Sequence, residues 1–183
     1  MDDKLILDLI KDKRTRERGY RLLINQTKEK MYWQIRRMVL SHNDTDDLIQ
    51  EVYIKVFKHI NHFHGNSCLS TWIYRISYNE TINFLKSKEN KKHQKNISLE
   101  NNMIDSLTED SLFDANEINI KFEKAILSLP SKQRAVFQMR YYEDIPFKEM
   151  EKITNTSESA LKTSYHIAEK KIKDIMLEDN NEK

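Results

Sequence analysis

The stretch Asn43-Asp44-Thr45-Asp46-Asp47-Leu48-Ile49-Gln50-Glu51-Val52-Tyr53-Ile54-Lys55-Val56-Phe57-Lys58-His59-Ile60 decides the class of fold. Its first five residues offer N-cap oxygens and negative charge for a helix start. Leu48, Ile49, Val52, Tyr53, Val56, Phe57 and Ile60 then recur with the spacing of one helical face. The pattern predicts an amphipathic α-helix. Asp47, Gln50, Glu51, Lys55 and Lys58 cannot all join that apolar stripe, so they form a mixed polar face. Such a face suits solvent or a docked partner helix.

Working outward, Leu22, Leu23, Tyr32, Trp33, Ile35, Val39 and Leu40 predict one or two helices upstream. Downstream, Ser70 or Thr71 is expected to cap a helix carrying Trp72, Ile73, Ile76, Ile82 and Leu85. Between Lys86 and Asn119 the helical pattern fails. Lys91, Lys92 and Lys95 give way there to Glu100, Asp105, Glu109, Asp110 and Asp114, with Asn and Ser interleaved, which reads as an acidic linker. Its Leu99, Ile104, Leu107, Leu112 and Phe113 fit either a docking segment or a loosely packed short helix. Beyond it, Phe122, Ala125, Ile126 and Leu129 make a short apolar face, and Pro130 suits the first position of the next helix. Pro146 to Ile153, a break at Thr154-Asn155-Thr156-Ser157, and Ser159 to Met176 read as helix, turn, longer helix. That spacing suits a helix-turn-helix. The expected organisation is residues 1–90 as one helical domain, 91–119 as a flexible linker and 120–183 as a second domain.

Composition agrees with this layout. The 183 residues include 2 Gly and 2 Pro, too few for a β-rich fold with many tight turns, so the expected class is all-α. Hydrophobic residues at 38% suffice for a core although mean hydropathy is -0.77. The single Cys68 forbids an internal disulfide framework. No apolar run nears the roughly 18 residues of a membrane helix, and Asp2, Asp3 and Asp8 interrupt the start where a secretory signal needs an unbroken apolar stretch. A cytoplasmic location without export or membrane insertion is expected. Net charge is +2 but uneven: 16 basic and 12 acidic residues in 1–90, 3 and 6 in 91–120, 12 and 11 in 121–183. The two ends can meet an anion, and the middle repels one.

No Gly-rich phosphate loop, nucleophile elbow or metalloprotease motif is present, so catalysis and a cofactor are not expected. His59, His62, His64 and Cys68 do not form the paired ligand spacing of a structural zinc site, and no metal is expected. The segment Phe63 to Ser70 offers an aromatic ring, a Gly and several amide or hydroxyl groups, which can stack on an unpaired base and bond its edges. Core packing of an inter-helix loop is the plainer use of Phe63. Trp72 continues an apolar face with Ile73 and Ile76 and is expected to be structural. Arg75, Lys86 and Lys88 can neutralise phosphates, although the two lysines serve equally as solvated surface.

Three strings together carry a resemblance. Asp46 to Tyr53, then Phe63-His64-Gly65-Asn66-Ser67, then Ser70-Thr71-Trp72-Ile73-Tyr74-Arg75-Ile76 with Asn79 resemble the second conserved region of extracytoplasmic-function sigma factors. Leu129-Pro130-Ser131-Lys132-Gln133-Arg134, through Arg140-Tyr141-Tyr142-Glu143, to the helix-turn-helix resembles that family's fourth region. The resemblance implies a sigma factor that binds core RNA polymerase and directs promoter-specific transcription initiation, and it implies an anti-sigma partner. It assigns polymerase binding to Asp47, Gln50 and Glu51. It assigns minus-10 recognition to Phe63, His64, Gly65, Asn66, Ser67, Arg75 and Asn79, with Phe63 at the aromatic position beside a flipped base. Ser157, Ser159, Lys162, Thr163 and His166 fall at minus-35 contact positions. The chain departs from the family at Ser164, Ile167 and Glu169, where Arg is common, at Glu151, where a small residue is usual, and at Asn155, where the turn has Gly. Asn tolerates the left-handed conformation such a turn needs.

Two other readings use the same residues. A stand-alone helix-turn-helix regulator would bind duplex DNA, with the N-terminal helices as a sensor or dimerisation module. A purely helical interaction protein would explain the scarcity of Arg in the second helix of the motif.

Overall fold

The computed structural model describes residues 3–93 and 116–178, with side chains for 3–88 and 116–178. Its helices are α1 (Asp3–Lys11), α2 (Arg16–Val39), α3 (His42–His59), α4 (Leu69–His93), α5 (Glu117–Leu127), α6 (Ser131–Tyr141), α7 (Phe147–Thr154) and α8 (Glu158–Glu178). A 3-10 turn (Ile60–His62) follows α3, and no strand occurs among the described residues. The all-α expectation holds.

The helix ends correct the expected caps. α3 starts before the Asp cluster, because Ser41 is its N-cap and the Ser41 Oγ accepts from the Asp44 N–H at 3.3 Å. The Asp residues lie within the opening turns, where their charge still favours the helix dipole. α4 starts at Leu69, whose N–H donates to Asp3 Oδ2 at 2.7 Å. The cap therefore comes from α1 and not from Ser70 or Thr71; a partner 66 residues away leaves no local trace. α4 also continues to His93, and α5 opens at Glu117, where the Asn116 side chain accepts from the Asn119 N–H at 2.8 Å. The expected docking residues Leu99, Ile104, Leu107, Leu112 and Phe113 lie outside the described residues.

α2, α3 and α4 close around Leu23, Met31, Ile35, Val52, Val56 and Ile73. Inside this core Thr27 Oγ1 and the Tyr53 hydroxyl hydrogen bond at 3.0 Å, so the two buried polar groups satisfy each other. α1 seals the open end through Ile6 and Ile10, crossing α2 at Gly19. α5, α6 and α8 close a second core of Ala125, Ile126, Leu129, Phe137, Ala168 and Ile172. The two units then dock on each other, a contact that the linear reading does not contain. α7 lies on α4 and α6 lies on α2, and Ala135, Met139, Met150 and Ile153 join the same apolar cluster as Met38 and Ile82.

Gly19 is a close-approach position. A Cβ there would stand 2.7 Å from Ile10 Cγ1 and 2.9 Å from the Ile10 backbone nitrogen, so the backbone of α1 would have to move. Gly19→Ala is expected to cost about 1–3 kcal/mol as overpacking despite the better helix propensity of Ala. Thermal unfolding followed by circular dichroism measures this as a lowered midpoint.

Candidate protein and nucleic-acid interfaces

On α3, Asp47, Gln50 and Glu51 are all exposed, on the side opposite the buried Leu48, Val52 and Val56. Two neighbours are already engaged: Asp44 pairs with Lys88 at 2.5 Å and Lys55 pairs with Glu80, both bridges running to α4. These bridges spend Lys88 on α3, so it is not the open phosphate ligand the sequence allowed. Ile54 completes the stripe through Asp47, Gln50 and Glu51, and it is 52% exposed. Sequence reasoning passed over Ile54. Its signal was an apolar residue off the buried stripe, which marks a contact for something outside the helix core.

The Phe63 to Ser70 segment leaves α3 through the 3-10 turn. Phe63 is half-buried, with its ring centroid 5.6 Å from that of Trp72, so it supports the loop and presents one side outward. His64, Gly65 and Asn66 are exposed, while Ser67 is half-buried with its hydroxyl donating to the Cys68 carbonyl at 3.3 Å. Gly65 has φ +75 and open space around it, so backbone angle rather than crowding selects glycine there. Arg75 and Asn79 are exposed one turn apart on α4, and Trp72 shares their side of the helix. The fold thus gathers Phe63, Trp72, Arg75 and Asn79 along one surface, with the loop tip beside it.

α7 and α8 form the expected helix-turn-helix. Asn155 is the C-cap of α7 at φ 55, and its N–H donates to the Glu151 carbonyl, so it takes the left-handed geometry anticipated for it. Glu151 is exposed, which leaves room for its size. Met150, Ile153 and Leu161 bury the angle between the helices, and Tyr165 packs between Phe137 and Phe147. Ser157 serves as a cap, its hydroxyl accepting from the Ala160 N–H at 3.4 Å. Ser159, Lys162, Thr163 and His166 are exposed along one side of α8. The cations there are internally paired: Lys162 with Glu158 at 2.7 Å, and Lys173 with Glu169 at 3.1 Å, with His166 3.6 Å from the same Glu169. Lys162 holds Glu158 below the usual carboxylate range, and Lys173, then His166, do the same for Glu169.

Residues 23–91 match the family Sigma-70 region 2, and residues 120–172 match Sigma-70, region 4. The two matches fall in the right order on the two helical units. The chain belongs to the extracytoplasmic-function sigma factors. It is 25% identical over 152 residues to the ECF RNA polymerase sigma factor SigW of Bacillus subtilis, covering 79% of this chain and 81% of that protein. The ECF RNA polymerase sigma-E factor of Haemophilus influenzae is 24% identical over 172 residues, covering 87% and 90%. In fold the chain is similar to the sigma factor RpoE of Bartonella quintana, solved with the anti-sigma factor NepR, at TM-score 0.67, 13% identity and 86% and 96% coverage. It is likewise similar to CnrH, solved with the cytosolic domain of CnrY, at TM-score 0.66, 13% identity and 98% coverage of both chains.

In this sigma factor the region 2 and region 4 units also contact each other through a polar seam that sequence reasoning missed. Arg134 Nη2 donates to the Met38 carbonyl at 3.1 Å, and Gln138 Nε2 donates to the Arg37 carbonyl at 3.2 Å. Both acceptors stand in the last turn of α2, where a helix leaves its carbonyls without intrahelical donors. The Tyr74 hydroxyl donates to Glu143 at 2.8 Å, and the Arg37 guanidinium lies 4.2 Å over the Tyr142 ring. Burial raises the Glu143 carboxyl above its ordinary range, and the Tyr74 hydroxyl, Arg37 and Lys30 offset part of that effect. The one sequence trace is a pair of polar residues four apart, Arg134 and Gln138, within the buried run 134–139 of α6.

A carboxyl whose pKa is raised by folding adds stability below its unfolded value and loses it as pH rises through the folded one. Glu143→Gln removes the ionised, desolvated form. It is therefore expected to raise the unfolding midpoint relative to the parent near neutral pH, and the advantage should shrink as the pH falls through the raised range of this carboxyl. Thermal melts of both proteins across that range measure the gap.

Proposed function

We propose that this sigma factor divides its work between two faces of region 2 and one helix of region 4. Residues 1–90 bind core polymerase through Asp47, Gln50 and Glu51 on α3, with Ile54 as the apolar contact among them. The same domain engages the minus-10 element through Phe63, His64, Gly65, Asn66, Ser67, Arg75 and Asn79, and holds a base exposed by strand opening. Residues 120–183 read duplex DNA at the minus-35 element through Ser157, Ser159, Lys162, Thr163 and His166. Residues 91–119 connect the two.

One observation carries this reading: an exposed loop with a half-buried aromatic ring leads into an exposed Arg75 and Asn79, in the same unit as the α3 stripe and opposite a helix-turn-helix in the other unit. A duplex-binding regulator has no use for the loop or for the stripe. Strand opening draws on binding energy, since unpaired bases gain stacking and edge contacts that offset the lost pairing. The sigma factor is therefore no enzyme and works in the cytoplasm with polymerase, which supplies the bond chemistry. Among the described residues no helix is long and apolar enough to cross a membrane. RpoE was solved with the anti-sigma factor NepR, which supports an anti-sigma partner here as well.

The test is transcription in vitro with sigma-free core polymerase from the same organism and a library of its upstream regions. Defined start sites are expected only when the protein is added; their absence, with no co-elution with core, overturns the reading. Phe63→Ala is expected to abolish permanganate reactivity of the opened strand while duplex binding persists. Ile54→Asp should weaken binding to core by about tenfold, the loss typical of a contact hot spot. Lys162→Ala should weaken duplex binding and reduce the salt slope by about one ion.

A further inference from the structure

The exposed side of α8 carries two rows of side chains that differ in chemistry. Lys162, His166, Glu169 and Lys173 recur at i, i+4, i+7 and i+11 and share one row. Ion pairs of Lys162 with Glu158 and of Lys173 with Glu169 occupy it. Ala160, Thr163 and Ile167 recur at i, i+3 and i+7 and make the other row. All three are exposed, and Ile167 keeps 54% of its surface in solvent. The buried side of the same helix is held by Leu161, Ala168 and Ile172, so Ile167 has no part in closing the core of its unit.

This second row presents carbon where the first presents charge. The Thr163 hydroxyl donates to the Ser159 carbonyl at 3.1 Å, which spends its hydrogen inside the helix and leaves the methyl as the outward group. Ile167 follows one turn on, about 6 Å along the helix axis. A single exposed isoleucine is ordinary on a protein surface. On the second helix of a helix-turn-helix it meets the floor of the major groove, where the edges of guanine, adenine and cytosine carry donors and acceptors. An isoleucine strips those groups of water and gives nothing back. Thymine adds a C5 methyl at the same edge, and against that group the side chain gains contact at little cost.

We propose that Ile167 is a specificity-determining residue of the minus-35 contact, packing on the C5 methyl of a thymine with the Thr163 methyl beside it. The proposal rests on the reading of α8 as the minus-35 helix and adds the kind of base that it reads. Arg is common at this position in the family, and a guanidinium donates to guanine or to phosphate. Isoleucine does neither and selects an A·T pair by apolar contact. Losing the guanidinium thus changes what is read as well as how tightly the helix holds.

The test uses holoenzyme assembled from the full chain and core polymerase, on the duplex minus-35 elements that the transcription library identifies. Each thymine of the element is replaced in turn by deoxyuridine, which removes the methyl and keeps the pairing. With the parent protein, one such replacement is expected to weaken binding about fourfold, the loss of one buried methyl. Ile167→Ala, at an exposed site and with a better helix former, should weaken binding to the thymine duplex by at least that factor and show no further response to the same uracil. Lys162→Ala should weaken binding to both duplexes alike and keep their ratio. A parent protein indifferent to every uracil overturns the proposal, and so does a minus-35 element without thymine. A uracil response of equal size in Ile167→Ala also overturns it, because the methyl would then act through the shape of the DNA. Absence of any promoter-dependent transcript strikes the sigma-factor reading instead. The uracil comparison is then made on duplexes that the full chain selects from a random pool, and the same outcomes decide the methyl contact.

Discussion

α4 has to satisfy two packing surfaces at once, and the rest of the molecule depends on that constraint. One side, through Ile73, Ile82 and Leu85, belongs to the core it builds with α2 and α3. Another side, through Tyr74 and Tyr78, faces α6 and Glu143. What is left over is a solvent stripe with Arg75 and Asn79. A helix with two buried sides has little polar surface to spare, which explains why its low amphipathicity hides its role. The same economy places the proposed DNA contacts: only the remaining side of α4 can meet a strand.

The parts of this architecture that were legible in the sequence are those set by local chemistry. The α3 stripe, the Asn155 turn, the proline starts before α6 and α7, and the division into two helical units all follow from residues within a few turns of each other. The parts that were not legible depend on distant partners. Asp3 caps α4 across 66 residues, and Arg134 and Gln138 cap α2 across 96 and 101. A polar residue on a buried helix face announces that it needs a partner, but not which one. The candidate site divides the same way. Periodicity separated Asp47, Gln50 and Glu51 from the core, yet it passed over Ile54, because an apolar residue off the stripe looks like noise until its exposure is seen.

The recognition helix raises a separate electrostatic point. Lys162 and Lys173 each have an acidic partner one turn away on α8 itself, and His166 lies near Glu169. Exposed i to i+4 pairs stabilise a helix by a few tenths of a kcal/mol each. They also set a carboxylate beside each of these two lysines, so a DNA contact by Lys162 has to displace Glu158 first. Scarcity of Arg and self-pairing of Lys act in the same direction. Both reduce nonspecific attraction to the backbone, and on the proposed function discrimination at the minus-35 element falls to the base-edge groups of Ser159, Thr163 and His166.

Self-paired lysines on α8 fit one physical strategy. A factor that bound duplex DNA strongly by itself would be titrated by the genome, since nonspecific sites vastly outnumber promoters. Here Lys162 and Lys173 are paired with carboxylates on α8 itself, which weakens what that helix offers a phosphate. On the proposed function, affinity for a promoter arises when the contacts of both units act on the same duplex. Linking two such contacts raises their joint affinity by orders of magnitude with no new interaction, provided the geometry lets both engage together. Polymerase would supply that geometry, so the weakness of each separate contact becomes a reason why the free factor stays off DNA.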